Sequence, residues 1–169
     1  MSIRPVLALA VLAVAVAGCE TVPMQGGGYG PPPAAFSAAD FGWSTRSGQG
    51  SIEGSINFVR EGQVYRCTGS VALTPDTPYT RARFRTLYGS TDRAAIPEAI
   101  VRARTVADPN ADYRSFVRSE TCANGRFSFR GLPDGGWFVI APVSAGGDDR
   151  IVLMQRVETR GGRIVTVTL

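Results

Sequence analysis

ANGRFSFRGLPDGGWFVI, residues 123–140, contains two apolar runs on either side of a turn rich in glycine and proline. In the first run Phe127 and Phe129 alternate with polar residues, which is the period of a strand that buries one face. Residues 131–135, Gly-Leu-Pro-Asp-Gly, are of the types that reverse a chain. From residue 137 to 143 nearly every side chain is apolar, as in a central strand covered on both faces. This stretch therefore predicts two neighbouring strands of a β-sheet.

Further segments on both sides show the same period of two, and short turns separate them. They are residues 51–58, 67–73, 150–158 and 163–169. Residues 159–162 lie between the last two segments and predict a β-hairpin. The chain also has 20 glycines, 11 prolines and only 19% charged residues, as in a turn-rich β-protein. We predict an all-β fold, an antiparallel β-sandwich of about seven strands.

Residues 123–140 also resemble the carboxypeptidase regulatory-like family, a group of transthyretin-like (prealbumin-like, Ig-like) sandwiches related to Cna B-type repeats. The hallmark of that family is a glycine turn, an F-x-F strand, G-L-P-x-G and an aromatic residue that opens the next strand. Residues 52–56, 71–75 and 165–169 look like its first two strands and its last. The resemblance implies an accessory module and no activity of its own. It covers about residues 50–169, except for a poorly matched insert at 76–117.

The insert itself gives two weaker signals. Arg81, Arg83 and Arg85 alternate with other residues, which we interpret as a strand that turns its arginines to solvent. Residues 97–103 begin with a proline and predict one short helix of two turns.

The first nineteen residues, MSIRPVLALAVLAVAVAGC, resemble the export signal of bacterial lipoproteins. A positive charge precedes an apolar run of residues 6–16, which is too short to span a hydrocarbon core of about 30 Å. Small residues lead to Cys19, and the resemblance implies cleavage between Gly18 and Cys19 and acylation of Cys19. The alternative is an ordinary cleaved signal peptide with an incidental cysteine. Glu20 follows the cysteine. In the lipoproteins that this signal resembles, an aspartate at this position is associated with retention in the inner membrane, so we expect this protein to be anchored in the outer membrane.

These motifs divide the chain into three parts. Residues 1–18 are the predicted lipoprotein signal peptide, and residues 36–169 are the predicted β-sandwich domain. Between them, residues 19–35 contain three consecutive glycines and three consecutive prolines, a composition that cannot bury a core. We interpret this segment as a lipidated tether with an average reach of about 20–25 Å.

The chain has no histidine, and this absence excludes several kinds of site. Ser-His-Asp and Cys-His nucleophile systems need the missing side chain, as does the active site of zinc carboxypeptidases. We therefore expect no metal, no cofactor and no catalysis. A carboxylate pair acting on envelope polysaccharide remains open as an alternative. All 18 basic residues are arginine, and the net charge of +4 is too small to predict a nucleic-acid partner.

Two cysteines, Cys67 and Cys122, remain besides Cys19. An even number in an exported domain predicts a disulfide between them, and the alternative is two buried free thiols. Arg81, Arg83 and Arg85 are candidate anion-binding residues, because guanidinium groups bind phosphate and carboxylate. The alternative is a solvated strand face that discourages aggregation.

Together these features predict a non-catalytic envelope lipoprotein, held in the outer membrane by a lipid anchor and facing the periplasm or the cell surface. Its sandwich would serve interaction or envelope support, with an anionic envelope component or another envelope protein as partner. A protein that binds a small ligand or an anionic glycan is a further alternative.

Overall fold

The structure is a computed structural model that describes residues 34–169. The predicted signal peptide, the predicted lipidation site at Cys19 and the predicted tether up to residue 33 lie outside the described residues. Within residues 34–169, no helix combines the length and the apolar character needed to cross a lipid bilayer.

Residues 34–169 form two β-sheets and four short helices. The strands are β1 (Gly50–Ser55), β2 (Phe58–Arg60), β3 (Gln63–Cys67), β4 (Ser70–Pro75), β5 (Arg93–Pro97), β6 (Arg118–Thr121), β7 (Arg126–Leu132), β8 (Gly135–Gly146), β9 (Asp149–Thr159) and β10 (Ile164–Thr168). The α-helices are α1 (Pro78–Tyr88) and α2 (Glu98–Ala103), and two 3-10 helices are η1 (Ala38–Thr45) and η2 (Asp112–Phe116). The predicted class, an all-β sandwich-like fold with little helix, is confirmed.

The small sheet has three strands in the order β10-β1-β7, with β1 parallel to β10 and antiparallel to β7. In the large sheet, β8 is central and pairs with β9 along one edge. Along its other edge β8 pairs with both β3 and β4, which follow one another along that edge. Three further strands complete the large sheet, since β2 pairs with β3, β6 with β4 and β5 with β9.

The main core contains the F-x-F strand and the apolar side of β8. Phe127 and Phe129 lie in this core together with Trp137 and Leu73. The indole N–H of the buried Trp137 donates to Thr159 Oγ1 at 3.0 Å, which satisfies its only polar group. These contacts confirm that the two phenylalanines point into the core.

A second apolar cluster lies on the opposite face of β8 and β9. Phe138 and Met154 pack there against Phe84 and Tyr88 of α1. The central strand is therefore covered on both faces, as its apolar sequence predicts.

The strand predicted at Arg81–Arg85 is wrong, because these residues belong to α1. Thr77 and Thr80 form a capping box at the start of the helix, and Pro78 occupies its first turn. Gly89 ends the helix with a φ of 72°. The alternation of the arginines is typical of a strand, but the capping box at the start of the segment and the glycine at its end favour a helix.

The hairpin predicted around residues 159–162 is also wrong. β9 pairs with β8 along one edge and, through residues 151–155, with β5 along the other, and β10 does not pair with it. Instead β10 crosses to the small sheet and pairs with β1, where Val167 enters the core.

Three smaller predictions complete the comparison. The continuous strand predicted at residues 67–73 is interrupted at Thr68 and Gly69, where β3 ends and β4 has not yet begun. The helix predicted at 97–103 is confirmed as α2, although Pro97 is the last residue of β5. The disulfide between Cys67 and Cys122 is confirmed, with their Cα atoms 6.1 Å apart.

Candidate functional site

A groove with a volume of about 350 Å³ lies between α1 and the segment that contains η2. We call it the helix groove. Its lining combines apolar side chains with tyrosine hydroxyls and one guanidinium group. The residues are Ala72, Thr74 and Ile140 from the large sheet, Phe84, Leu87 and Tyr88 from α1, and Tyr113, Arg114 and Val117 from the η2 segment.

The α1 wall of the groove is fixed to the large sheet by packing and by ion pairs. Phe84 lies edge-on to Phe138, with ring centroids 4.8 Å apart. Asp76, whose side chain is 1% exposed, accepts hydrogen bonds from Arg81 of α1 and from Arg156 of β9. A buried carboxylate needs such partners, so this pair of arginines ties the helix to the sheet.

The η2 wall is held by contacts from the other side of α1. The Tyr79 hydroxyl donates to the carbonyl oxygens of Asp108 and Asn110, at 3.1 and 2.8 Å. The Arg83 guanidinium lies over the Tyr113 ring, 4.8 Å from its centroid. These contacts fix the loop that carries Tyr113 and Arg114.

The groove presents the protonated hydroxyl of Tyr88 and an arginine at neutral pH. Burial raises the pKa of Tyr88 to about 12, because the phenolate would be poorly solvated there. Tyr88 as a residue is only 8% exposed, and its ring packs against Phe84 with centroids 5.3 Å apart. Arg114 adds an exposed guanidinium at the rim.

The structure does not bring the three predicted anion-binding arginines onto one face. Successive residues of an α-helix are rotated by about 100°, so Arg81 and Arg85 lie on one side of α1 and Arg83 on the other. Arg81 pairs with Asp76, Arg83 packs on Tyr113, and Arg85 is exposed. Of the three, Arg83 is the one on the side of the η2 segment.

The sequence interpretation missed Tyr88, Tyr113 and Arg114. For Tyr88 a signal was available, since the capping residues before Pro78 and Gly89 after the helix define α1 and place Tyr88 four residues after Phe84. For Tyr113 and Arg114 no local pattern exists, because their position depends on how the loop folds back on α1.

A second, more polar groove of about 540 Å³ lies on the outer face of the small sheet beside β6. We call it the sheet groove. Two carboxylates, Glu53 and Glu120, contribute to it. Glu53 accepts a hydrogen bond from the Ser128 hydroxyl at 2.9 Å and lies 3.9 Å from the Arg130 guanidinium. The remaining lining residues are Gly54, Ser55, Thr121, Ala123, Arg126, Phe127 and Thr166.

A third groove, of about 360 Å³, is lined mainly by apolar side chains such as Phe58, Ala95, Leu153 and Leu169. Residues 34–169 contain no group of three Asp, Glu or Cys side chains placed to hold a metal ion.

No protein-family model matches the chain, and no curated protein matches its sequence. Among solved structures, the chain is similar to a crystal structure of a Pseudomonas aeruginosa protein, with 22% sequence identity and a TM-score of 0.52. The match covers 79% of this chain and 97% of that one. The Pseudomonas protein is described as carbohydrate binding, an assignment that is itself provisional. At this identity the likeness shows the fold alone.

Proposed function

We propose that the protein is a non-catalytic envelope lipoprotein whose sandwich domain binds a glycan in the helix groove. The observation that carries this proposal is the combination of Tyr88, Tyr113 and Arg114 in one groove fixed to the sheet. Sugars offer both apolar C–H faces and hydroxyls, and a ring beside hydrogen-bonding groups suits both.

Tyr88 also contributes a hydroxyl to the residues that line the groove, and a phenol can both donate a hydrogen bond to a sugar hydroxyl and accept one from it. The groove volume lies near the lower end of small-molecule sites, which favours a short saccharide or the end of a longer one.

Two further observations support the proposal from outside the groove. The similar Pseudomonas protein is described as carbohydrate binding, which agrees with a glycan ligand on this fold. The resemblance of residues 16–19, Val-Ala-Gly-Cys, to a lipoprotein signal supports an envelope location through acylation of Cys19.

The glycan proposal is tested by titrating full-length protein in detergent with oligosaccharides released from a bacterial envelope. Tyr113→Ala should weaken binding about tenfold, because it removes a ring from the groove wall. Arg163→Gln is the matched control, since Arg163 is exposed and precedes β10 in the other sheet. If the wild-type protein binds no fraction, or if Tyr113→Ala binds as tightly, the proposal is refuted.

The anchoring proposal has its own test. Cys19→Ser should remove the acyl mass and the partition into the membrane fraction, because acyl chains supply about 0.8 kcal/mol per buried methylene. A Cys19→Ser protein that keeps its mass and stays in the membrane would contradict acylation at this residue.

The sheet groove favours one second candidate, a carboxylate-dependent enzyme on envelope polysaccharide. Glu53 and Glu120 line the same groove, and glycoside hydrolysis commonly uses two carboxylates. Release of reducing ends from purified polysaccharide, abolished by Glu120→Gln and kept by Glu158→Gln in another part of the fold, would favour this candidate.

A further inference from the structure

We infer that the ligand of the helix groove is an anionic saccharide, one that carries a carboxylate or a phosphate. This inference rests on the proposed function and names the chemical class of the glycan.

Three guanidinium groups lie on the same side of α1 as the groove. Arg114 lines the groove directly. Arg83 stacks on Tyr113, one of the wall residues. Arg104 donates to the carbonyl oxygen of Leu87, another wall residue, at 2.8 Å. One guanidinium group is therefore in the groove wall, and two more are in contact with other residues of that wall.

None of these three arginines makes an ion pair with a carboxylate within residues 34–169. The opposite side of α1 differs, because there Asp76 neutralises Arg81. Arg104 and Arg114, beside the groove, are thus without an ion-pairing carboxylate among the described residues.

The acidic residues of the same loop offset only part of this charge, because neither of them forms an ion pair with the three arginines. Asp108 accepts hydrogen bonds from the backbone N–H groups of Phe36 and Asn110, at 3.0 and 2.9 Å. These two bonds, and to a lesser extent the positive charge of Arg83, lower the pKa of Asp108, so its ionised carboxylate offsets part of the charge of Arg83. Asp112 is exposed at the start of η2, where a negative charge interacts favourably with the helix end.

Arg83 adds a specific reason for an anion to bind. Its Nε atom is buried without any hydrogen-bond partner among the described residues. Removing part of a guanidinium group from water without compensation is unfavourable in the unbound protein. An anion in the groove would offset this cost through charge interaction, which is stronger where water is partly excluded.

The arrangement suggests that different residues of the groove bind the acidic group and the sugar ring of the ligand. Arg114 is exposed and can donate two parallel hydrogen bonds to a carboxylate or phosphate. The Tyr113 ring and the Tyr88 hydroxyl would then contact the sugar itself. A neutral saccharide would make the same contacts through its sugar rings but would form no charge interaction with the arginines.

The test compares two disaccharides that differ in one group, one ending in glucuronic acid and the other in glucose. Full-length protein in detergent is titrated with each by calorimetry at 0.05 and 0.3 M NaCl. The acidic disaccharide should bind at least about tenfold more tightly, and its advantage should shrink at the higher salt concentration because charges are screened. A phosphorylated glucose disaccharide in a third titration shows whether phosphate serves as well as carboxylate.

Arg114→Gln should reduce the affinity for the acidic disaccharide to that for the neutral one and leave the neutral one unchanged. Arg85→Gln is the control, because Arg85 is an exposed arginine on the other side of α1. Equal binding of neutral and charged disaccharides by the wild-type protein overturns the inference and leaves glycan binding intact. No binding of any disaccharide, neutral or charged, overturns glycan binding in this groove and the inference with it.

Discussion

Gly54 marks a point in the small sheet where an added methyl group has no space. It lies on β1 directly opposite Phe127 of β7, and both residues are buried. A Cβ atom added to Gly54 would collide with the outer ring atoms of Phe127. That ring lies edge-on to Phe129, 6.0 Å away between centroids, so its movement would disturb the core. Gly54→Ala should therefore overpack the sandwich.

The expected change in the free energy of unfolding is the sum of two opposing effects. Overpacking a well-filled core costs about 1–3 kcal/mol, and a collision with a buried ring belongs at the upper end. Alanine also restricts the unfolded chain, which offsets about 0.4–1 kcal/mol. We expect Gly54→Ala to lower the free energy of unfolding by about 2 kcal/mol. Urea unfolding followed by tryptophan fluorescence measures this change, provided that the slope with denaturant stays constant.

Two variants make the measurement specific. Gly42→Ala introduces the same methyl group in η1, where no atom lies within 4 Å of the new Cβ, and should change stability by no more than about 0.5 kcal/mol. Phe127→Leu shortens the side chain that collides, so Gly54→Ala should cost at least about 1 kcal/mol less in that background. If Gly54→Ala unfolds at the wild-type urea concentration, or if the two substitutions are additive, the packing explanation is refuted.

Three further predictions concern titration, the disulfide and the buried ion pair. The raised pKa of Tyr88 stabilises the folded state below pH 10, and this contribution of about 2–3 kcal/mol should be lost as the pH rises from 10 to 12. Tyr88→Phe should therefore unfold with a weaker pH dependence over that range, measured by urea titration at each pH. Replacing Cys67 and Cys122 by alanine together should cost up to about 4 kcal/mol, because the disulfide closes a long loop in the unfolded chain. Asp76→Asn should cost about 2–4 kcal/mol in thermal or urea unfolding, since it leaves two arginines without their buried carboxylate.

Each of these predictions has a result that contradicts it. Identical pH profiles of the wild type and Tyr88→Phe would show that Tyr88 titrates normally. For the disulfide, unchanged stability of the double-alanine variant under non-reducing conditions would count against the loop-closure explanation. An Asp76→Asn protein as stable as Asp92→Asn, a substitution at an exposed aspartate, would mean that the ion pairs contribute little.

The sandwich core was predictable because its signal is local. Phe127 and Phe129 alternate with polar residues, and the apolar run after Gly136 is typical of a strand covered on both faces. Each of these patterns lies within a few residues and needs no knowledge of the partner strand. The cysteine pair was predictable for a different reason, since its parity and the expected compartment determine the pairing.

The errors arose where distant residues decide the outcome. β10 pairs with β1, the first strand of the domain, and no local pattern around residues 159–162 shows this distant partner. The helix groove likewise joins Thr74, Tyr88, Tyr113 and Ile140, which come from four separate segments. The alternation of three arginines did not predict α1, because charged residues on the solvent side of a helix need not follow a regular spacing.

The pairing of β4 with β6 has a consequence for which parts of this sequence can diverge without loss of the fold. Leu73 and Arg118 face each other across these strands, so the long excursion between them leaves and re-enters the sheet at one place. Lengthening a flexible loop with fixed ends costs only about 0.6 kcal/mol per doubling of its length. Most of the helix groove belongs to this excursion, whereas the main core does not. The loops of this excursion that line the groove can therefore vary in length and sequence at small cost to stability, whereas β5 and α1 have to be kept because they cover an edge and a face of the large sheet.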